Sequence, residues 1–280
     1  MKKLLSFFNG IMPFFAAEAI QYIIIFSFNF IYGILIGLQV GFDASGGSES
    51  SEEINSVIEK IISRELLYTV SVVAVAACGI VFFFWYRKEI QGEVRGSLSN
   101  ILSTMNIILF IMLGISCQLF LSGMMSYLQH YFIKAFTDYS EVVENLTGGN
   151  EIVVFLLIGL VAPITEELIF RGVILHRTNR VITFLGANIM QAILFGIYHW
   201  NLVQGIYAVL IGFLLGFIYY KYRSIIAPIL LHIIINSSAL LVLLLSRYIS
   251  ILAITLAGGI VMAAAIYLIR LSERVPLKKV

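Results

Sequence analysis

Two adjacent glutamates, Glu166 and Glu167, lie near the middle of an apolar stretch that reads LVAPITEELIFRGVIL. A charge at that depth in a bilayer costs about 3 kcal/mol on insertion scales, so the pair needs partners or a chemical function. Glu167 and Arg171 are four residues apart, so on a helix they share a face and can form an ion pair. Glu166 is turned about 100° away, because a helix has 3.6 residues per turn. We therefore predict that Glu166 is available as a general acid or base.

Two of the four histidines also lie in apolar stretches, each with a companion four residues away on the same helix face. His199 follows Phe195, and Asn236 follows His232. A single histidine in an apolar helix is more often a structural hydrogen-bond donor than a reactive group. Two histidines with this spacing can both be aimed at the glutamates, so we predict that these residues share one site.

The elements that carry these residues must lie in lipid. Of the 280 residues 60% are hydrophobic and 12% charged, with a mean hydropathy of +0.98, which is too apolar for a soluble core. The apolar windows lack the alternation of barrel strands, so helices must satisfy the backbone. We predict an all-α, polytopic membrane helical bundle of about eight transmembrane helices. The predicted spans are 19–40, 66–86, 101–126, 152–176, 184–200, 204–220, 225–246 and 250–270.

The basic residues are distributed unevenly between the two sets of loops. With the N-terminus in the cytoplasm, thirteen of the eighteen fall inside and four outside, in agreement with the positive-inside rule. We therefore predict that both termini are cytoplasmic. Lys2 and Lys3 before an apolar run resemble a secretory signal, but the run continues to Val40, so we expect an uncleaved first span with an interfacial lead-in.

The external segments 41–65 and 127–150 are acidic, and we predict solvated loops or caps, with a helix-like stretch at 52–64. The net charge of +2, without a basic stripe, excludes a nucleic-acid partner. Cys78 and Cys117 are each isolated in apolar sequence and are typical of small buried residues. His130 and His176 lie at loop edges, and we predict no role for them.

The motifs together resemble the signature of a known family. They are Glu166-Glu167-x-x-x-Arg171, Phe195-x-x-x-His199 and His232-x-x-x-Asn236. In order and spacing they resemble the CPBP family, the CAAX proteases and bacteriocin-processing or immunity proteins also called the Abi family, which includes the type II CAAX prenyl endopeptidases. The flanking sequences Phe170-Arg171-Gly172, Gly212-x-x-x-Gly216 and Ala227-Pro228-Ile229-Leu230 are also similar to that family. The resemblance covers about residues 150 to 240.

The resemblance implies an intramembrane endopeptidase. Region 1–150 would hold N-terminal transmembrane helices, 151–246 the catalytic core, and 247–280 a final helix with a basic cytoplasmic tail. Glu166, assisted by His199, would take a proton from water, and His232 with Asn236 would donate hydrogen bonds to the oxyanion. The supporting residues would be Glu167, Arg171 and Phe195.

A zinc mechanism is the alternative, because glutamate and histidine bind zinc and members of this family are often labelled metalloproteases. The ligands would then be Glu166, His199 and His232. The sequence lacks HExxH, and Asn236 is a poor zinc ligand but a good oxyanion donor. We therefore favour the metal-free mechanism, with no cofactor.

The resemblance implies a peptide or protein substrate, prenylated or a small secreted peptide precursor. Membrane lipid is the other expected partner, and the short loops suit a bacterial plasma membrane. A non-catalytic bacteriocin immunity or scaffold protein and a proton-coupled transporter remain alternatives. If the fifth helix began at Val181, His199 would lie about 27 Å along it, too far to meet a glutamate at mid-membrane. We therefore expect residues 177–187 to be largely interfacial.

Overall fold

The computed structural model describes residues 2–45, 64–147, 150–272 and 277–279. The helices in these parts of the chain are α1 (Lys2–Ser45), α2 (Arg64–Glu89), α3 (Leu98–Ile101), α4 (Thr104–Leu128), α5 (Ile133–Thr147), α6 (Glu151–Thr178), α7 (Phe184–Tyr198), α8 (Leu202–Tyr222), α9 (Ile226–Ser237), α10 (Ala239–Leu245) and α11 (Ile251–Leu271). Two short strands, β1 (Val94–Gly96) and β2 (Leu277–Lys279), pair antiparallel.

Six of the described helices are long and apolar enough to cross a bilayer, namely α1, α2, α4, α6, α8 and α11. The predicted polytopic helical membrane bundle is therefore confirmed. Each of the eight predicted spans coincides with an apolar helix, but two of them are shorter than a full span. α7 has 15 residues, and the predicted span 225–246 is divided at Ser238 into α9, with 12 residues, and α10, with 7.

The first helix is longer than its predicted span and packs through a different part. α1 is continuous from Lys2 to Ser45, and its buried positions, including Phe14 and Ala17, precede residue 19. A Cβ placed on Gly10 would lie 2.6 Å from Cγ2 of Thr178, so this glycine lets α1 approach the end of α6. The helix therefore starts earlier than the predicted span 19–40, and its apolar part runs from Leu5 to Leu38.

The second external segment contains an amphipathic helix, α5, where the sequence suggests a solvated loop or cap. The hydroxyl of Tyr139 on α5 lies 3.2 Å from the hydroxyl of Tyr207 on α8. This contact makes α5 a helical cap over the beginning of α8. In the first external segment, residues 52–63 of the helix-like stretch lie outside the described residues.

One end of the bundle gathers segments that the charge pattern predicts to be cytoplasmic. Arg180, just after α6, donates to the carboxylate of Glu89 at the end of α2, at 2.9 Å. Lys221, in the last turn of α8, donates to the carbonyl of Ser272 after α11, at 2.7 Å. The pairing of β1 with β2 brings the C-terminal strand to the loop after α2. We call this end, formed by the ends of α2, α6, α8 and α11, the basic end.

The packing of α7 against α8 depends on small residues. A Cβ on Gly216 would lie 1.8 Å from Oδ1 of Asn188, and one on Gly212 would lie 3.1 Å from Cα of Ala192. Both glycines belong to the Gly212-x-x-x-Gly216 run, which lets the two backbones approach closely. The two helices form a hairpin, and His199 lies at its tip, away from the basic end.

Candidate active site

The helix that carries the two glutamates is not a regular α-helix. α6 contains two π-helical stretches, Leu157–Val161 and Leu168–Leu175, on either side of the α-helical turn Ala162–Glu167. π-Helical turns are rare and occur often at functional sites, because an added residue per turn re-aims side chains. Glu166 and Glu167 therefore lie where the helix changes its winding.

Glu167 is fully buried and forms an ion pair with an equally buried arginine. Nη1 of Arg171 donates to Oε1 of Glu167 at 2.9 Å, and both side chains are 0% exposed. Nη2 of Arg171 donates to the carbonyl of Gly212 on α8, at 3.0 Å. The predicted ion pair is thus present, and it also ties α6 to α8.

His232 on α9 lies between the two glutamates. Its Nδ1 atom is 2.8 Å from Oε1 of Glu167, and its Nε2 atom is 3.7 Å from Oε2 of Glu166. Because Glu167 is paired with Arg171 as a carboxylate, it accepts a hydrogen bond from the Nδ1–H of the ring. This contact orients Nε2 toward Glu166. The sequence predicts that His232 belongs to the site, but not that Glu167 orients it.

Glu166 has fewer polar contacts than Glu167. It is 9% exposed, and within the described parts of the chain no hydrogen bond to its side chain is formed. Nε2 of His232 lies 3.7 Å from its Oε2 atom, and Arg171 forms no ion pair with it. The geometry therefore matches the prediction that Glu166 faces away from the arginine, while its chemical role stays a prediction.

His199 lies at a sharp turn between α7 and α8. Trp200 after it has a left-handed backbone, with φ of +51°, and Asn201 then caps α8 by accepting a hydrogen bond from the backbone N–H of Gln204 at 3.0 Å. The side-chain amide nitrogen of Gln204 lies 3.0 Å from Nδ1 of His199. Gln204 therefore orients the imidazole. Gln204 was not predicted from the sequence, although its place in the first turn after the Asn201 cap could have indicated it.

The α7 helix begins at Phe184 and not near Val181, which shortens the distance to His199. The rings of His199 and His232 both contact the ring of Phe195, so the two imidazoles lie around the same side chain. The sharing of one reactive site by His199 and Glu166 stays a prediction.

Phe195 is buried between the polar groups. Its ring makes edge-to-face contacts with His199, at 5.0 Å between ring centroids, and with His232, at 5.9 Å. The guanidinium of Arg171 lies 4.7 Å from the centroid of the same ring. Phe195 thus contacts both imidazoles and the guanidinium of the ion pair, while its supporting role stays a prediction.

The side-chain amide of Asn236 is bonded to the backbone of α6. Its Nδ2 atom donates to the backbone carbonyl of Ile158 at 3.0 Å. Ile158 lies in the first π-helical stretch, where the residue five positions later would normally donate to it, but that residue is Pro163, which has no N–H. Asn236 therefore satisfies a carbonyl that the proline leaves without a donor. Its predicted role at the oxyanion stays a prediction.

Two residues of α1 extend the wall of the site. The side-chain amide of Gln21 hydrogen-bonds to the hydroxyl of Tyr198, next to His199. Glu18 accepts a hydrogen bond from Nε1 of Trp200 at 3.2 Å. Neither residue was predicted from the sequence, because nothing local in α1 indicates that it packs beside α7.

The alternative zinc ligands are Glu166, His199 and His232. Among the described residues, no group of three or more histidine, cysteine, aspartate or glutamate side chains is arranged to hold a metal ion. His232 directs Nδ1 to Glu167, whose Oε1 already accepts from Arg171. Nδ1 of His232 is bonded to a carboxylate and its Nε2 is directed at Glu166, an orientation that zinc-binding histidines also have, so the choice between the zinc and the metal-free mechanism stays a prediction.

The fold and the site define a class: a polytopic helical membrane protein with carboxylates and imidazoles clustered inside the bundle. Residues 148–238, which contain all three motifs, match the family described as Type II CAAX prenyl endopeptidase Rce1-like. The chain is also 25% identical over 169 residues to the "Putative membrane peptidase YdiL" of Bacillus subtilis (strain 168), across 60% of this chain and 68% of that protein. No solved structure matches the chain significantly. The predicted resemblance to the CPBP family of CAAX-type proteases is confirmed.

Proposed function

We propose that this integral membrane protein is an endopeptidase in which Glu166 activates water for attack on a peptide bond. The main support is that the two glutamates have different partners. Arg171 pairs with Glu167 alone, and His232 extends from Glu167 toward Glu166. The likeness to CAAX-type and other membrane peptidases supports the same assignment.

In the first step, Glu166 takes a proton from a water molecule that His199 helps to orient. The resulting hydroxide forms a bond to the carbonyl carbon of the peptide, and the carbonyl oxygen becomes an oxyanion. Glu166 then gives the proton to the leaving nitrogen, and the carbon–nitrogen bond breaks. A water molecule is consumed, and the carboxylate is restored.

The oxyanion requires hydrogen-bond donors in a site with little water. We assign this role to Nε2 of His232 and to the second N–H of the Asn236 amide, since its first N–H is held by Ile158. For this role His232 must carry protons on both ring nitrogens, because Nδ1 donates to Glu167. Glu167 and Arg171 position the ring without touching the substrate.

The proposed substrate is a peptide or protein that reaches the bundle from the membrane. It is either prenylated or a small secreted peptide precursor. Its cleavage would take place in a bacterial plasma membrane. Lipid surrounds the bundle, since large apolar side chains such as Phe26, Phe84 and Ile260 are exposed on its surface.

The test is a cleavage assay with the full chain purified in detergent and a library of peptides with and without a prenyl group. We expect wild-type protein to cleave at least one class, and Glu166→Gln to reduce the rate below detection. Glu151→Gln, an exposed glutamate at the start of the same helix, is the matched control and should keep full activity.

A chelator distinguishes the two mechanisms. Cleavage that persists with chelator and is lost in Glu166→Gln supports the metal-free mechanism. Cleavage that the chelator abolishes and zinc restores would overturn that mechanism and favour Glu166, His199 and His232 as ligands. Folded protein that cleaves no member of either peptide class contradicts the peptidase assignment.

A further inference from the structure

A polar pocket lies at the basic end of the bundle, and Glu166 is not among its lining residues. It has a volume of about 350 Å³ and is bounded by β1, the segment after α6 and the end of α8. Its lining includes three arginines, Arg95, Arg180 and Arg223, but only one carboxylate, Glu93. With neutral histidine the lining therefore carries two positive charges in excess, which favours an anionic ligand.

Arg95 is the buried arginine of this pocket. It is 9% exposed; its Nη1 atom donates to the hydroxyl of Tyr219 at 2.8 Å and its Nη2 atom to Glu93 at 2.9 Å. The Nε atom is buried and has no hydrogen-bond partner among the described residues. A buried donor without a partner is costly, so a ligand that accepts from Nε would be stabilised there.

Glu93 is already shared between two arginines and cannot neutralise the pocket further. Its Oε2 atom accepts from Arg95, while its Oε1 atom lies 2.9 Å from Nε2 of His176 and 3.2 Å from Nη2 of Arg180. Arg180 is also paired with Glu89, which lies outside the lining. Arg95 and Arg180 therefore each have a carboxylate partner, and the third arginine of the lining carries the uncompensated positive charge.

Arg223 supplies that charge. It ends α8 with a left-handed backbone, φ of +48°, and its carbonyl accepts from the N–H of Gly96 at 3.1 Å, which fixes its position beside β1. Its side chain is exposed, and within the described parts of the chain its guanidinium forms no ion pair or hydrogen bond. Arg223 can therefore close over an anion held by Arg95.

Aromatic residues place this pocket at the level of lipid headgroups. Tyr220 lines it and is 53% exposed, and its ring stacks on Phe184 at 4.0 Å between centroids. Nearby, Arg177 lies over the ring of Trp85 at 5.5 Å. Tyrosine and tryptophan concentrate at the boundary between the hydrocarbon and water, and arginine there meets phosphate oxygens.

We propose that this pocket binds a phosphate group, with Arg95 and Arg223 as its main ligands. A phosphate presents several acceptor oxygens, which suits the unpartnered Nε of Arg95 and the planar fork of Arg223. The group is carried by an anionic phospholipid headgroup or is free in solution. The site is separate from the proposed peptidase chemistry and does not depend on it.

The experiment measures binding to the full chain in an uncharged detergent by calorimetry. The probes are inorganic phosphate, dihexanoyl-phosphatidylglycerol and dihexanoyl-phosphatidylcholine. We expect Arg223→Gln to weaken binding about tenfold, as expected from the loss of one charge-assisted hydrogen bond. Arg87→Gln, which removes an exposed arginine in the last turn of α2 that does not line the pocket, is the matched control and should bind as wild type does.

Arg95→Lys provides a second variant that keeps the charge and removes Nε. It should also weaken binding, with an unchanged elution profile as the check on folding. Binding of phosphatidylglycerol without inorganic phosphate identifies the lipid as the source, whereas binding of both identifies the phosphate group alone. No binding of any probe, or equal losses in Arg223→Gln and Arg87→Gln, overturns the proposal.

Discussion

His232 and Glu167 are in hydrogen-bond contact, at 2.8 Å between Nδ1 and Oε1, although they are 65 positions apart in the chain. The same carboxylate oxygen accepts a hydrogen bond from Arg171. Glu167 therefore has two partners in a fully buried position, and its neighbour Glu166 has none of comparable strength. This difference separates a structural glutamate from a candidate reactive one and leads to the first prediction.

Glu167→Gln should destabilise the protein far more than Glu166→Gln. Removing the charge of Glu167 leaves Arg171 buried without a counter-charge, which costs about 3 to 5 kcal/mol. Unfolding of both variants in the same detergent measures the difference. Equal losses of stability would show that the Glu167–Arg171 ion pair does not stabilise the bundle more than Glu166 does.

His232→Gln should lower the turnover number about 10²-fold or more, because an oxyanion donor acts mainly in the transition state. The apparent affinity for substrate should change much less. His130→Gln, at an exposed position outside the site, is the control and should leave turnover intact. A large rise in KM with unchanged turnover would instead assign His232 to substrate binding.

Asn236→Ala should cost about 1 to 3 kcal/mol, because the carbonyl of Ile158 loses its donor. Adding Pro163→Ala supplies a backbone N–H for that carbonyl and should recover part of the stability. If Asn236 also acts at the oxyanion, the double variant regains stability but not cleavage. Recovery of both properties would limit Asn236 to a structural role.

Gln204→Leu should reduce kcat/KM by about ten- to a hundredfold, because His199 loses the group that orients its ring. The pH profile of kcat/KM should also change, which a purely structural role would not produce. Gln118→Leu, in α4 and bonded to Ser122, is the control. An unchanged pH profile would mean that Gln204 does not position His199.

Gly216→Ala should destabilise the bundle by about 1 to 3 kcal/mol, as overpacking does. The added Cβ would lie 1.8 Å from Oδ1 of Asn188, whose buried side chain is bonded to the carbonyl of Phe213, so either this side chain or the two helices must shift. Gly33→Ala is the matched control, since nothing lies within 4 Å of its added Cβ, and it should not lower the unfolding temperature. Similar effects of the two substitutions would contradict the close approach at Gly216.

Features that depend on composition and on the period of a single helix could be predicted from the amino-acid sequence. The apolar windows predicted the helical membrane bundle, and the spacing of Glu167 and Arg171 predicted their pairing and the separate direction of Glu166. These relationships lie within one helix, where 3.6 residues per turn relate spacing to direction. The shared grouping of the motifs was also accessible, because charged and polar groups in lipid need one another.

Contacts between groups on different helices could not be predicted in this way and are known from the tertiary structure. These contacts are the hydrogen bonds between His232 and Glu167, between Asn236 and the carbonyl of Ile158, and between Gln204 and His199. These contacts depend on the π-helical turns of α6, the left-handed turn at Trp200 and the glycines that set the distances between helices. Such features shift side chains by a few ångströms between distant segments, and no local periodicity in the sequence records that shift.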